Sequence, residues 1–198
     1  FLVDRDIVQA SNINRQAIAF HSTVGRRKVD VTSAMVADIN PKAQVETRHM
    51  LVLRENLEEL LDEMGRWAEA DGGRLDYVVD AIDTVSTKLA LAEIAQERGI
   101  TLISSMGAAN KLHPEELRIA DLYDTVNCPL CRIMRKEGRK RGIRRLRVLY
   151  SAEEPVRVPT REGAARSERS NLGTASFMPP IMGQMIAGAG LREIAGLE

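Results

Sequence analysis

Two carboxylates one residue apart, in Asp4-Arg5-Asp6, follow directly on the apolar run Phe1-Leu2-Val3. Such a run reads as the tail of a buried strand, and in open α/β sheets ligands bind outside the carboxyl ends of strands, where an acid can grip ribose hydroxyls. Polar residues follow at Asn12-x-x-Arg15-Gln16, then Gly25-x-x-Lys28, and further on Asp80-x-x-Asp83 behind the apolar Tyr77-Val78-Val79. Each motif also has an ordinary structural reading: a polar loop, two surface cations, a helix cap at Asp83. Together they supply what ATP needs. Asp4 can accept from ribose hydroxyls, Arg15 and Lys28 can balance phosphate charge, and Asp83 can ligate Mg²⁺. One protein carboxylate suffices for Mg²⁺, which keeps water and phosphate as its other ligands.

The elements that must position these groups can be read from periodicity. Val29, Ala34, Met35, Val36 and Ile39 form a helical stripe that Asn40-Pro41 stops. Residues 44–48 alternate as a short strand, and Arg54–Met64 carries Leu57, Leu60, Leu61 and Met64 at helical spacing. Arg66–Arg74 ends in Gly72-Gly73 and reads as a surface loop, with Trp67 packing locally. Tyr77–Asp83 reads as the clearest buried strand, with Asp83 as N-cap of a helix over Thr84–Arg98 that Gly99 closes. Residues 100–104 give the next strand, so this is a parallel, right-handed βαβ unit. A half-exposed strand at Leu117–Leu122, a helix after Pro129 to Gly142, a strand at Leu146–Tyr150 and a core helix over Met182–Ile194 complete the reading. Residues 152–172 are charged and interrupted by Pro, Ser and Gly, and are expected to be flexible. The whole of 1–198 reads as a single α/β domain, Rossmann-like, with a mainly parallel sheet and helices on both faces. Phe1 stands inside a strand with no Met before it, so an upstream strand, turn and helix are expected.

Of the 198 residues 44% are hydrophobic and 28% charged, at a formal net charge of zero. That excludes a global field toward nucleic acid or membrane. The charge is nonetheless uneven: residues 1–113 hold 13 basic against 17 acidic side chains, and residues 114–198 hold 15 against 11. No apolar run is long enough to span a bilayer. Two cysteines, in Cys128-Pro-Leu-Cys131, make no disulfide framework and fit a reduced, cytoplasmic setting. A C-x-x-C pair at a helix start can be redox-active, but a plain buried pair is the simpler reading. His21, His49 and His113 lack mutual spacing and read as surface or core residues.

The ordered set Asp4, Asp6, Val8, Ser11, Asn12, Arg15, Gln16, then Gly25 and Lys28, then Asp80 and Asp83 resembles the ubiquitin-activating-like, ThiF-type adenylyltransferases. Their pattern is D-x-D-x-V-x-x-S-N-x-x-R-Q, G-x-x-K and D-x-x-D. The resemblance implies adenylation of a carboxylate with ATP and Mg²⁺. Asp4, with Asp6 beside it, would hold ribose. Asn12, Arg15 and Lys28 would face the phosphates, Gln16 would support Arg15, and Asp83 would hold the metal. Arg15, Lys28 and Asp83 would then carry the catalysis, and a homodimer is expected. The family's glycine-rich loop would lie before Phe1. Further matches at residues 104–111, 119–123, 128–130, 134–136, 148–151 and 177–179 are similar to a branch that dehydrates threonylcarbamoyladenosine in tRNA.

Arg132–Arg147 holds nine basic residues against one acid, Glu137. A charge run is usually a solvated helix face, but one this dense repels itself unless a polyanion offsets it. A tRNA substrate explains it, with Arg135, Lys136, Arg139, Lys140, Arg141, Arg144 and Arg145 as phosphate contacts. Three other readings stand beside this one. They are an adenylyltransferase for a ubiquitin-like sulfur-carrier protein, a non-catalytic RNA-binding or dimerisation remnant, and a nicotinamide-dependent oxidoreductase, which would need neither Lys28 nor Asp83.

Overall fold

The computed structural model of the protein describes residues 1–70, 72–156 and 173–197. They form two compact units, Phe1–Leu75 and Asp76–Glu198.

In the first unit β1 (Leu2–Val3) pairs in parallel with β2 (Thr47–Arg48), Leu2 opposite Thr47. Helix α1 (Lys28–Ile39) ends at Asn40, as the following proline requires. Helix α2 (Arg54–Ala70) buries Leu57, Leu60 and Leu61, the stripe read from spacing. It continues past Met64, so residues 66–70 are helical where a loop was expected. Trp67 gives the reason, since it packs edge-on against Phe1 with ring centroids 5.9 Å apart. Arg48 lies 5.3 Å from the Phe1 ring centroid and bonds both Glu46 and Glu63, which fastens β2 to α2. A small core of Val8, Ala19 and Val31 anchors the segment between β1 and α1.

The second unit is a four-stranded sheet in the order β3 (Val78–Asp80), β4 (Leu102–Ser105), β6 (Arg147–Ser151), β5 (Leu117–Asp121). β3, β4 and β6 run parallel, and β5 is an antiparallel edge. β3 is shorter and less enclosed than expected: Val79 is 53% exposed. Helix α3 (Val85–Arg98) joins β3 to β4 and stops at Gly99, whose φ of 66° suits a residue without a Cβ. Its N-cap is Thr84, not Asp83, which leaves the Asp83 side chain unused by the helix. Helix α4 (Pro129–Lys140) precedes β6, and α5 (Met178–Ile194) closes the chain. α5 starts four residues earlier than the sequence suggested. Pro179 and Pro180 fall in its first turn, where a missing N–H costs nothing.

Alternation along β4 divides the packing, because successive side chains point to opposite faces. Ile103 joins Leu117, Leu149 and the α5 residues Met178, Met182, Ile186 and Ala189 in one core. Ser104 points the other way, toward α3, where its Oγ donates to Asp80 Oδ2 at 2.5 Å. Helices therefore cover both faces, as expected. Residues 157–172 of the segment expected to be flexible lie outside the described residues. Residues 152–156 are held: Ala152 is buried, and Val156 N donates to Asn110 O at 2.8 Å.

Asp80 and Lys88 form an ion pair at 2.9 Å with neither side chain exposed. Removing one partner of such a pair strands the other charge, at a cost of about 3–5 kcal/mol. Lys88→Met should lower unfolding free energy by about that amount in urea titration. A loss below about 1 kcal/mol would show that the pair behaves like an exposed one.

Candidate functional site

The segment from Asp4 to Lys28 closes on itself. The Asp6 amide donates to Asp4 Oδ1 at 2.8 Å, and Lys28 Nζ donates to Asp6 Oδ2 at 2.8 Å, with Asp4 Oδ2 4.0 Å away. Lys28 N also donates to Asp6 O at 3.0 Å, so the first residue of α1 is tied twice to the segment that follows β1. A one-residue bridge, Ile7 to Arg27, lies alongside. Gly25 makes this return possible: its φ is 87°, and its amide donates to Val8 O at 2.8 Å. The Gly25-x-x-Lys28 spacing is thus the length of chain needed to turn and set the lysine beside the two acids. The hydrogen bond from Lys28 holds the Asp6 carboxyl below its ordinary range.

Asn12 is the pin of the intervening loop. It is 7% exposed, its Oδ1 accepts from Gln9 N at 3.0 Å, and its backbone oxygen accepts from the amides of Arg15 and Gln16. Arg15 is half-buried, and its Nη1 donates to Ser11 O at 3.0 Å and Asn14 Oδ1 at 2.9 Å. Its hold comes from these two, and Gln16 contributes through its backbone. The structure brings together Asp4, Asp6 and Lys28, and separately Asn12, Arg15 and Gln16, within the first unit.

Asp83 belongs to the second unit, in the turn between β3 and α3. It is exposed and has no protein partner among the described residues. The turn beneath it is fixed by Asp80. Asp80 Oδ1 accepts from Ile82 N at 2.9 Å, while its Oδ2 accepts from Lys88 Nζ and Ser104 Oγ. A lone, exposed carboxylate on a rigid turn is a donor set that suits Mg²⁺, a hard ion satisfied by one protein oxygen together with water and phosphate. Among the described residues no group of three or more His, Cys, Asp or Glu side chains is placed to hold a metal.

The basic run divides into used and free cations. Arg135 turns inward, donating to Thr125 O at 2.8 Å and to its hydroxyl. Arg139 stacks 5.1 Å from the Tyr123 ring centroid, Lys140 pairs with Glu137 at 2.8 Å and Arg141 with Glu93 at 3.3 Å. Arg145 is 3.9 Å from Asp121 and Arg147 pairs with Glu193. Arg132, Lys136 and Arg144 are exposed; among the described residues the side chains of Arg132 and Arg144 have no protein partner, and Lys136 makes no hydrogen bond or ion pair, only adding its charge beside Glu137. All three histidines are exposed, and Glu115 raises the His113 pKa through a 2.8 Å contact.

Two buried lysines escaped the sequence reading. Lys88 sits inside the apolar stretch of α3, and that isolated cation was the available signal. Lys111 is 2% exposed, donates to Asn127 O at 3.2 Å and to Glu153 O, and is lowered in pKa by burial.

Residues 1–196 match the model of the ThiF family. The chain belongs to the ThiF family. Among curated ThiF-type relatives, it is 37% identical over 196 residues to the tRNA threonylcarbamoyladenosine dehydratase of Bacillus subtilis (strain 168), covering 94% of this chain and 73% of that protein. It is 36% identical over 155 residues to tRNA threonylcarbamoyladenosine dehydratase 2 of Saccharomyces cerevisiae, covering 78% of this chain but only 33% of the yeast protein. The chain spans about half the length of the Haemophilus influenzae and Escherichia coli enzymes of the same name, at 49% and 47%. A solved structure titled TcdA (CsdL) superposes with a TM-score of 0.81 at 25% identity, covering 98% of this chain and 75% of that one. The E. coli dehydratase in complex with AMP shares the fold at a TM-score of 0.81 and 24% identity, covering 98% and 74%.

The Asp6–Lys28 contact is exposed enough that its stability contribution stays below about 1 kcal/mol. Because the Asp6 carboxyl is lowered, that contribution is present above the ordinary carboxylate pKa and is lost as pH falls through the lowered value. In Lys28→Met the Asp6 carboxyl should titrate higher than in the wild type, since the largest cause of its lowering is gone. Carboxyl-detected NMR titration reads this directly, and an unmoved Asp6 would remove Lys28 as the cause.

Proposed function

We propose that the protein adenylates a carboxylate with ATP as the first step in dehydrating threonylcarbamoyladenosine in tRNA. The observation that carries this reading is the likeness to the Bacillus subtilis enzyme of that activity, which runs through 94% of the chain. The exposed Asp83 on its pinned turn, without a protein partner among the described residues, agrees with it.

In this reading a carboxylate oxygen of the modified base attacks the α-phosphorus of ATP. The new P–O bond forms as the bond to the bridging oxygen breaks, and pyrophosphate leaves. A neighbouring group of the same base then adds to the activated carbonyl carbon, the ring closes, and AMP departs. Little of this needs a strong base; it needs position and charge. Asp4 accepts from the ribose hydroxyls. Arg15 and Lys28 face the phosphates, with Asp6 orienting Lys28 and Asn12 and Gln16 holding the loop that carries Arg15. Asp83 holds Mg²⁺, which when bound offsets phosphate charge. Residues 1–198 serve as a single adenylyltransferase domain, the chain works as a homodimer, and a tRNA substrate suits a cytoplasmic setting.

The tRNA contacts fall to the free cations Arg132, Lys136 and Arg144 first, with exposed Arg139, Lys140, Arg141 and Arg145 available once they exchange partners. Inward-turned Arg135 is left to orient the start of α4. A second reading, activation of a ubiquitin-like carrier, draws on 30% identity over 102 residues to the SAMP-activating enzyme E1 of Haloferax volcanii, covering 52% of this chain and 34% of that one.

One assay separates the two. Pyrophosphate release should require ATP, Mg²⁺ and tRNA bearing threonylcarbamoyladenosine; turnover with a carrier protein and no tRNA would favour the second reading. Asp83→Ala should lose release while keeping tRNA affinity. The triple charge reversal Arg132→Glu, Lys136→Glu, Arg144→Glu should raise the KM for tRNA. It should also lower the slope of log affinity against log salt by about one unit for each phosphate no longer neutralised.

A further inference from the structure

Nothing in adenylation uses the two cysteines, yet their placement is specific. Cys128 is the N-cap of α4 and Cys131 lies in its first turn. The Cys131 amide donates to Cys128 Sγ at 3.4 Å. An i, i+3 spacing at the start of a helix sets the two side chains on one side, and the amide bond fixes Cys128 Sγ against the residue that carries the second thiol. The buried ammonium of Lys111 adds its charge: it is anchored on the backbone oxygens of Asn127, next to Cys128, and of Glu153. The hydrogen bond from Cys131 acts first, followed by the amides of Cys131 and Leu130 and by Lys111, and together they bring the Cys128 thiol down to about 6. Cys131 is pushed the other way, by that thiolate and by burial, and stays protonated. Cys128, at the N-cap and accepting the helix amide, is the sulfur placed to carry the negative charge of the pair.

We propose that Cys128 and Cys131 are a reversible dithiol–disulfide couple, with Cys128 the sulfur that reacts with hydrogen peroxide and Cys131 the sulfur that resolves it. The Cys128 thiolate attacks one peroxide oxygen; an S–O bond forms as the O–O bond breaks, and hydroxide leaves and is protonated to water. The Cys131 sulfur then displaces the oxygen of the sulfenic acid. An S–S bond forms as the S–O bond breaks, and the departing hydroxide takes the Cys131 proton. In sum two thiols and one peroxide give one disulfide and two waters, and a dithiol reductant reverses the oxidation.

Burial selects the oxidant. Cys128 is 5% exposed and Cys131 not at all, which suits a molecule the size of water better than a protein disulfide. A polar cleft of about 560 Å³ brings solvent to the segment, lined by His113, Glu115, Arg118, Asn127 and Glu153 among others. Asn127 and Glu153 are the residues whose carbonyls hold Lys111. Closing the disulfide would remove the Cys128 sulfur as acceptor for the first turn of α4, the helix that carries the free cations Arg132 and Lys136.

The test is the intact mass of the full chain after stoichiometric hydrogen peroxide, with thiols counted by alkylation under denaturing conditions. The wild type should lose about 2 Da and both alkylatable thiols together, and recover both with dithiothreitol. Cys131→Ala should stop at a gain of about 16 Da, trapped by dimedone at Cys128. Cys128→Ala should keep its remaining thiol at the same dose. The proposal is overturned if the wild type keeps both thiols, if the disulfide forms only between chains, or if Cys131 is the sulfur that dimedone captures.

Discussion

A carboxylate and an ammonium, both wholly out of water, meet where β3 ends and α3 passes over β4. Moving two such charges out of water costs several kcal/mol each, and their attraction returns it only if every remaining polar atom is satisfied. Asp80 meets that condition through three donors from three places: Lys88 on α3, Ser104 on β4 and the Ile82 amide in the turn. The β3–β4 register sets Asp80 opposite Ser104, and a slip of one strand by one residue would part them and turn the slipped side chain to the other face. The pair therefore does less for net stability than for uniqueness. One arrangement of strand, helix and turn satisfies all three donors, and that arrangement presents Asp83 to solvent.

The first unit solves a similar problem by different means. Its acids stand at the end of β1, and the cation that must face them is twenty-two residues later in the chain for Asp6. A glycine turn at Gly25 and the backbone bond from Lys28 to Asp6 close that distance before any ligand is present. Here the groups are partly exposed, so the pairing orients the lysine without locking it. A phosphate can compete for Lys28 with an exposed carboxylate; nothing could compete for Lys88. The two pairs use the same chemistry, and burial decides which is locked and which can exchange partners.

Much of this was legible in the sequence because it is local. Helical spacing gave α1 and α3 within a residue or two at each end, and Gly99 stops α3 as read. The parallel βαβ unit followed from strand, helix and strand in order, and the ThiF-type motif set led to the family that the whole-chain match identifies. What was not legible depends on partners far away in the chain. Residues 66–70 stay helical because Trp67 finds Phe1, and Ala152–Val156 are held because they find Glu116 and Asn110. Arg135 looked like one cation among nine until Thr125 claimed it. Asp83 suited a helix cap by spacing, but the helix takes Thr84, and the acid is left free.

If Asp80 works by holding the turn under Asp83, then weakening it should be felt as a loss of metal affinity. The decisive measurement is the Mg²⁺ dependence of pyrophosphate release in Asp80→Asn, taken at a temperature where circular dichroism shows the variant folded. The Mg²⁺ concentration for half-maximal rate should rise about 10- to 100-fold, the range for losing a residue that orients a metal ligand, with tRNA affinity unchanged. A folded Asp80→Asn protein with the wild-type Mg²⁺ dependence would contradict the role given to Asp80 and, with it, the place given to Asp83.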